Sequence, residues 1–78
     1  MRVYIKPGCP WCVEVIGYLT KNDYSFTQID VISDQSKMDE MVEISGQTKA
    51  PTMAVGDLLL ADFGVDELVP FLEKHGLS

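Results

Sequence analysis

Apolar and polar positions alternate at the start of the chain, where Val3 and Ile5 are interleaved with Arg2 and Tyr4, the period-two signature of a strand. Lys6-Pro7-Gly8 breaks this alternation, so the strand is expected to end directly before Cys9. Helical spacing follows from Trp11 to about Lys21. Ile16 and Leu19 share one face with Val13 and Val15 beside it, and Asn22-Asp23 supplies the stop. Cys9 then falls at the N-cap and Pro10 at the first helical position, where a missing N–H leaves nothing unpaired.

Tyr24 to Ile32 is rich in aromatic and β-branched residues and reads as a second strand ending near Asp30. Strand, helix and strand make a βαβ unit whose right-handed crossover lays the two strands parallel. Ser33-Asp34-Gln35-Ser36 offers capping groups for a second helix, striped by Met38, Met41, Val42 and Ser45 and stopped by Gly46; the methionines read as core filler. Thr52 to Val55 and Leu58 to Ala61 are separated only by Gly56-Asp57, a hairpin signal that needs φ > 0 at the glycine. After Asp62-Phe63-Gly64, the residues Val65, Leu68, Val69 and Leu72 recur at helical spacing. Asp66 and Glu67 occupy the first turn, where the helix dipole favours negative charge, and His75 lies near the other end. Pro70 inside this pattern is expected to bend the helix. The order predicts an α/β fold, a four-stranded mixed sheet with three helices on its two faces, as a single domain over residues 1–78.

Length sets the limit of one core, since a chain of 78 residues buries only somewhat over ~60% of its unfolded surface. With 46% apolar and 23% charged residues the composition is that of an ordinary globular domain. A net charge of -6 argues against nucleic acid as a partner, which demands clustered Lys and Arg. The longest apolar run, Leu58 to Ala61, is far short of a membrane span, and Met1 leads straight into Arg2-Val3-Tyr4-Ile5, a strand too short for a hydrophobic export segment, so none is expected. The expectation is a cytoplasmic monomer, in a compartment where a Cys-x-x-Cys serves catalysis or metal binding more than stapling.

Cys9-Pro10-Trp11-Cys12 is the stretch that carries chemistry. Two cysteines at this spacing, between a strand and a helix of a βαβ unit, form a thioredoxin-like redox signature. They lie at the C-terminal end of the first parallel strand, where open α/β sheets place ligands. The thiolate is the reactive form of cysteine, and a helix N-terminus and a nearby cation both favour it. Cys9 has the helix N-terminus ahead and Lys6 three residues behind, so it is assigned as nucleophile. Cys12, one turn on, donates its S–H to that thiolate and later attacks a mixed disulfide, and is assigned as the resolving thiol.

Two other uses of the cysteines fit the chain less well. A structural bridge between such near neighbours is worth only about 2 kcal/mol, against ~3 for a fifteen-residue loop. Zinc needs four ligands, whereas the chain has two Cys and one His, the distant His75, so no metal is expected. Pro51, just before a strand, is a further candidate functional residue whose peptide isomer the sequence leaves open.

Taken together these segments resemble a small dithiol glutaredoxin, of the thioredoxin-like superfamily. Lys6-Pro7-Gly8-Cys9-Pro10-Trp11-Cys12 is similar to the family's lysine, two residues, then Cys-Pro-aromatic-Cys. Gly46-Gln47-Thr48-Lys49-Ala50-Pro51 falls where the family has a Gly-Gln or Gly-Arg turn leading to Thr-Val-cis-Pro. Asp62-Phe63-Gly64-Val65-Asp66-Glu67-Leu68 resembles its Gly-Gly-x-Asp-Asp-Leu segment. The resemblance implies a groove beside Cys9 that takes glutathione as co-substrate, with Trp11 as a stacking surface. Lys6 and Gln47 would hold the glycine carboxylate, and the backbone of Ala50, before a cis Pro51, would pair with the glutathione cysteine. Val65 and Asp66 would receive the γ-glutamyl end, Asp66 taking its ammonium. Lys49-Ala50 replaces Thr-Val, and Phe63 replaces the first glycine, which is expected to put a bulky ring where backbone should approach the ligand.

The implied activity is glutathione-dependent reduction of disulfide-containing or glutathionylated proteins. One alternative is a redoxin similar to the glutaredoxin-like electron donors of ribonucleotide reductase, reduced by thioredoxin reductase. Another is a binding module that holds an iron–sulfur cluster between two protomers through one Cys and one glutathione from each.

Overall fold

Each side chain of the first strand commits to one face of the sheet, and this commitment organises the molecule. The computed structural model describes residues 1–77. Its elements are β1 (Arg2–Ile5), α1 (Pro10–Lys21), β2 (Thr27–Asp30), α2 (Gln35–Ser45), β3 (Thr52–Val55), β4 (Leu58–Ala61) and α3 (Val65–Lys74). The strands lie in the order β2-β1-β3-β4, with β1 parallel to β2 and antiparallel to β3, and β3 antiparallel to β4. This is the mixed four-stranded sheet with three helices that the pattern predicts.

Period-two alternation divides the apolar residues between two cores. Val3, Ile5 and Met53 face α1 and α3, where they meet Val15, Leu19, Leu68 and Leu72. Tyr4 and Ala54 face the other way, toward Val31 and Met41 under α2. Each fully buried side chain of this size contributes about 1.5–3 kcal/mol relative to exposure. On the α2 side a polar group closes the packing: the Tyr4 hydroxyl donates to the Glu40 carboxylate, which also pairs with Arg2 at 2.9 Å and Lys37 at 3.4 Å.

Several boundaries differ from the sequence expectation. β2 begins at Thr27, not Tyr24, because the chain is still closing α1: the N–H of Asp23 donates to the Thr20 carbonyl at 3.2 Å and that of Tyr24 to Leu19 at 3.0 Å. Val13 is 67% exposed rather than on the buried face. Cys12, Val15 and Leu19 define the inner stripe at i, i+3 and i+7, and Val13 lies about 100° round the helix from Cys12, on the far side from Val15. The stripe on α2 is narrower than expected: Met41 is fully buried and Met38 partly, while Val42 lies at the open margin. α3 runs on through Pro70, which sits on its exposed side. The His75 ring packs on Phe71 with centroids 4.7 Å apart. In the β3–β4 hairpin Gly56 takes φ +57, as a two-residue turn with glycine in its first position requires.

The chain leaves each helix through a left-handed residue, Asp23 at φ +60, Gly46 at φ +70 and Gly76 at φ +66. Only Asp23 carries a side chain there, and its negative charge also meets the negative end of the α1 dipole. Asp23→Gly is therefore expected to stabilise the fold by about 0.5–1 kcal/mol, the relief of left-handed strain exceeding the added freedom of the unfolded chain. A thermal melt should rise by a few degrees; a fall would mean that the aspartate side chain holds this turn.

Candidate functional site

The site begins where β1 stops. Pro7 and Gly8, the latter at φ +78, turn the chain so that Cys9 enters α1 as its N-cap, with φ −83 and ψ 116. The Cys9 N–H donates to the Lys6 carbonyl at 3.3 Å, and Cys9 Sγ accepts the N–H of Cys12 at 3.3 Å, using a helix donor that has no partner within the helix. On its other side Sγ lies 3.9 Å from the carbonyl oxygen of Ala50. Both cysteines are free thiols, Cys9 half-buried and Cys12 only 2% exposed.

Burial pushes the Cys12 thiol up from its ordinary 9.0 to about 11, and its hydrogen bond with Cys9 acts in the same direction, while Lys6 opposes both. Cys12 thus keeps its proton at neutral pH. A pKa raised by folding means stability that is complete below the unfolded value and lost as pH climbs through the folded one. The neutral Cys12 should support the reduced fold fully below about pH 9 and progressively less up to pH 11. Tyr4 follows in a higher window, since burial and then its bond to Glu40 raise it from 10.0 to about 12. Denaturant titrations of the reduced protein should show stability declining from about pH 9, and Cys12→Ala should flatten the first part of that decline. An equal decline in both proteins between pH 9 and 11 would show that Cys12 is not its source.

The loop opposite Cys9 is braced by Gln47. Its amide nitrogen donates to Ser45 Oγ at 3.1 Å, to the Lys49 carbonyl at 3.1 Å and to Thr52 Oγ1 at 3.0 Å, and its oxygen accepts the N–H of Lys49. Thr52, fully buried, donates in turn to the Lys49 carbonyl at 2.9 Å. The Ala50-Pro51 peptide within this loop is cis. Gln47 has two amide hydrogens, and both are taken up here, so it shapes the loop that presents Ala50 to Cys9 and leaves no N–H for a carboxylate. The sequence held a signal for this, polar residues at Ser45 and Thr52 on either side of Gln47, which motif reading passes over.

Around Trp11, 62% exposed, runs an open trough. Its thiol end, about 410 Å³, is lined by Lys6, Cys9, Trp11, Lys49, Ala50 and Asp62 among others. The middle, about 210 Å³, passes between Trp11, Ala50 and Gly64, and the far end, about 180 Å³, is bounded by Trp11, Glu14, Val65, Asp66 and Glu67. Gly64 is the N-cap of α3 and lies against Trp11: a Cβ at this position would stand 3.2 Å from Trp11 Cδ1. The N–H groups of Glu67 and Leu68 donate to the Gly64 carbonyl, whereas those of Val65 and Asp66 have no partner among the described residues.

Lys6, Cys9, Trp11 and Ala50 are thus brought together at one end, and Val65 and Asp66 stand beside Trp11 at the other. Cys12 and Pro51 lie buried behind. Phe63 corrects the sequence reading: it is 3% exposed and its side chain belongs to the core with Leu68 and Met53, so it lines the middle of the trough without filling it. Asp62, at φ +54 with its N–H on the Pro51 carbonyl at 3.0 Å, makes the turn that sends Phe63 inward. The Asp62 carboxylate instead meets Lys49 across the thiol end at 3.8 Å, a pair the sequence did not announce. Among the described residues no helix is long and apolar enough to cross a membrane.

Comparison with known proteins gives a consistent result. The family model described as Glutaredoxin matches residues 2–60, which include both cysteines and Pro51. An uncharacterized glutaredoxin-like 8.6 kDa protein in the rubredoxin operon of Clostridium pasteurianum is 27% identical over 74 residues, 95% of this chain and 99% of that one. Glutaredoxin 3 of Escherichia coli is 26% identical over 78 residues, 100% of this chain and 92% of that one. The crystal structure of the thioredoxin-like protein BC3987 superposes with a TM-score of 0.81 at 27% identity, covering 91% of this chain and 97% of that one.

Proposed function

The chain belongs to the glutaredoxin family, and on that basis we propose that it is a glutathione-dependent thiol-disulfide oxidoreductase acting through Cys9 and Cys12. The observation that carries this reading is the asymmetry of the two thiols. Cys9 is half-buried at the helix N-cap and reached from the trough, and Cys12 is buried and protonated behind it.

In the proposed cycle the Cys9 thiolate attacks one sulfur of a substrate disulfide. That bond breaks, the departing thiolate takes up a proton, and Cys9 is left in a mixed disulfide. With a protein disulfide, Cys12 gives up its proton and attacks Cys9 Sγ. The second substrate thiol leaves, and the protein has delivered two electrons and holds a Cys9–Cys12 disulfide. With a glutathionylated protein, attack at the glutathione sulfur frees the protein thiol, and a second glutathione attacks the mixed disulfide on Cys9 to give oxidised glutathione. Two glutathione thiols likewise reduce the Cys9–Cys12 disulfide.

The trough has groups suited to such a co-substrate. Lys6 would receive the glycine carboxylate, the Ala50 backbone the cysteine, the free N–H groups of Val65 and Asp66 the γ-glutamyl carboxylate, and the Asp66 side chain the ammonium. Trp11 forms the floor between them. Gln47 acts through the loop it braces. The proposed setting is the cytoplasm, the partners are disulfide-containing or glutathionylated proteins, and the chain works as a monomer.

A second reading, reduction by thioredoxin reductase, draws support from the Clostridium relative, whose gene stands in a rubredoxin operon. The deciding experiment follows Trp11 fluorescence while the oxidised protein is offered glutathione, or NADPH with thioredoxin reductase. Trp11 is the one tryptophan and stands between the two cysteines in the sequence, directly before Cys12. Rapid reduction by glutathione alone supports the first reading; reduction by the reductase only supports the second.

A further inference from the structure

We propose that Lys49 and Asp62 form an exchangeable ion pair that makes the thiol end of the trough selective for disulfides bearing a carboxylate near their sulfur. The proposal rests on Cys9 as the attacking thiol and names the class of substrate that this thiol prefers.

The distribution of charge leads to it. The chain has six Lys and Arg against twelve Asp and Glu. Arg2 and Lys37 are paired with Glu40 on the α2 side, and Lys21 and Lys74 stand in the last turns of α1 and α3. The remaining two, Lys6 and Lys49, both line the cleft with Cys9. A molecule that repels anions over most of its surface therefore offers them two cations where the sulfur chemistry takes place.

Asp62 is the one acid among the described residues lining this end, and it contacts only one of those cations. The Lys49–Asp62 separation is 3.8 Å, with the side chains 72% and 57% exposed. A pair so open to water is weakly held and cheaply exchanged. Its supports, by contrast, are fixed. The Lys49 backbone is bound at its N–H and carbonyl by Gln47, and the Asp62 N–H is bound to Pro51 at 3.0 Å. The two side chains can part while the walls of the cleft stay in place. An incoming carboxylate replaces Asp62 at Lys49, whereas a neutral disulfide offers nothing for that exchange.

The chemistry amplifies this preference. When Cys9 attacks a carboxylated disulfide, the leaving group departs as a thiolate that already carries a carboxylate, so negative charge accumulates beside Lys6 and Lys49 before water supplies the proton. Cys12 then closes the Cys9–Cys12 disulfide. The net change is one substrate disulfide reduced to two thiols and one dithiol oxidised.

The test mixes reduced protein with dithiodipropionate, which is anionic, or hydroxyethyl disulfide, which is neutral, and follows one turnover by Trp11 fluorescence at low salt. Neither glutathione nor a reductase is present. The ratio of the anionic to the neutral rate should fall about two- to fivefold in Lys49→Met and rise about as much in Asp62→Asn, the size expected of exposed charges. Lys49→Arg should restore it, and about 1 M salt, where screening acts over roughly 3 Å, should erase the differences. Thermal melts of each variant establish that the fold is intact. A ratio unchanged in both variants, or one that Lys49→Arg fails to restore, overturns the proposal. If wild-type protein reacts with neither disulfide, the Cys9 reading itself fails and takes the proposal with it. If it reacts with both but glutathione cannot re-reduce it, only the glutathione assignment falls.

Discussion

Cys9→Ser is expected to lower disulfide reduction by roughly a thousandfold or more, because a hydroxyl oxygen is a far weaker nucleophile toward a disulfide than the sulfur it replaces. The fold should survive, since Cys9 is half-buried and serine is itself a favoured N-cap. Cys12→Ser is expected to behave differently. Attack by Cys9 remains possible, so a glutathionylated substrate should still turn over with glutathione. A protein disulfide should instead arrest as a covalent adduct on Cys9, because no resolving thiol stands behind it. Mass spectrometry of the arrested species, with and without added reductant, reads this directly. An adduct on Cys12 in the Cys9→Ser protein would reverse the assignment of the two thiols.

The second large effect is on stability. Leu68→Ala is expected to cost about 2–5 kcal/mol, the range for deleting a buried leucine and leaving a cavity. Leu68 is fully buried in the core that α1 and α3 share, and its N–H also binds the Gly64 carbonyl beneath Trp11. For a domain of this size each kcal/mol shifts the melting temperature by about 4–8 °C, so a loss of roughly 10 °C or more is expected. Leu59→Ala provides the comparison, since Leu59 is 38% exposed on β4 and should cost no more than about 1 kcal/mol. Equal losses in urea melts of the two variants would contradict the division of the chain into core and margin.

Much of this architecture is legible in the residues themselves. The alternation of Val3, Tyr4 and Ile5, the two cysteines after a turn, and Gly56-Asp57 between two apolar runs each encode local geometry, and local geometry survives without knowledge of the rest of the chain. The departures arise where a distant partner decides. Val13 looks apolar enough for the core, but the angular position of the Cys12, Val15 and Leu19 stripe turns it outward. Tyr24 has strand character yet is held by the end of α1. Phe63 occupies a place where the resemblance implied glycine, and only the left-handed turn at Asp62 shows that its ring points inward.

The site divides along the same line. Cys9, Cys12 and Lys6 are adjacent in sequence and could be grouped from spacing alone. Gln47 could be located but not understood, since its use depends on whether Ser45 and Thr52 fold back to meet it. The Lys49–Asp62 contact joins residues thirteen apart across a hairpin, and no local pattern distinguishes such a pair from two solvated charges.

The strand order leaves β4 paired on one side only, with Leu58-Leu59-Leu60-Ala61 along the bare margin of the sheet. Its outward N–H and C=O groups form a ready template for a strand from another molecule, and the side chains beside them are greasy enough to hold one. Pairing of copies along it is opposed by the brevity of the margin, four residues, by the carboxylates of Asp57 and Asp62 at its two ends, and by the mutual repulsion of chains of charge -6. Acidification toward the isoelectric point near 4.4 removes that repulsion and leaves the margin bare, so it is in acid that this protein would be driven to precipitate, edge against edge.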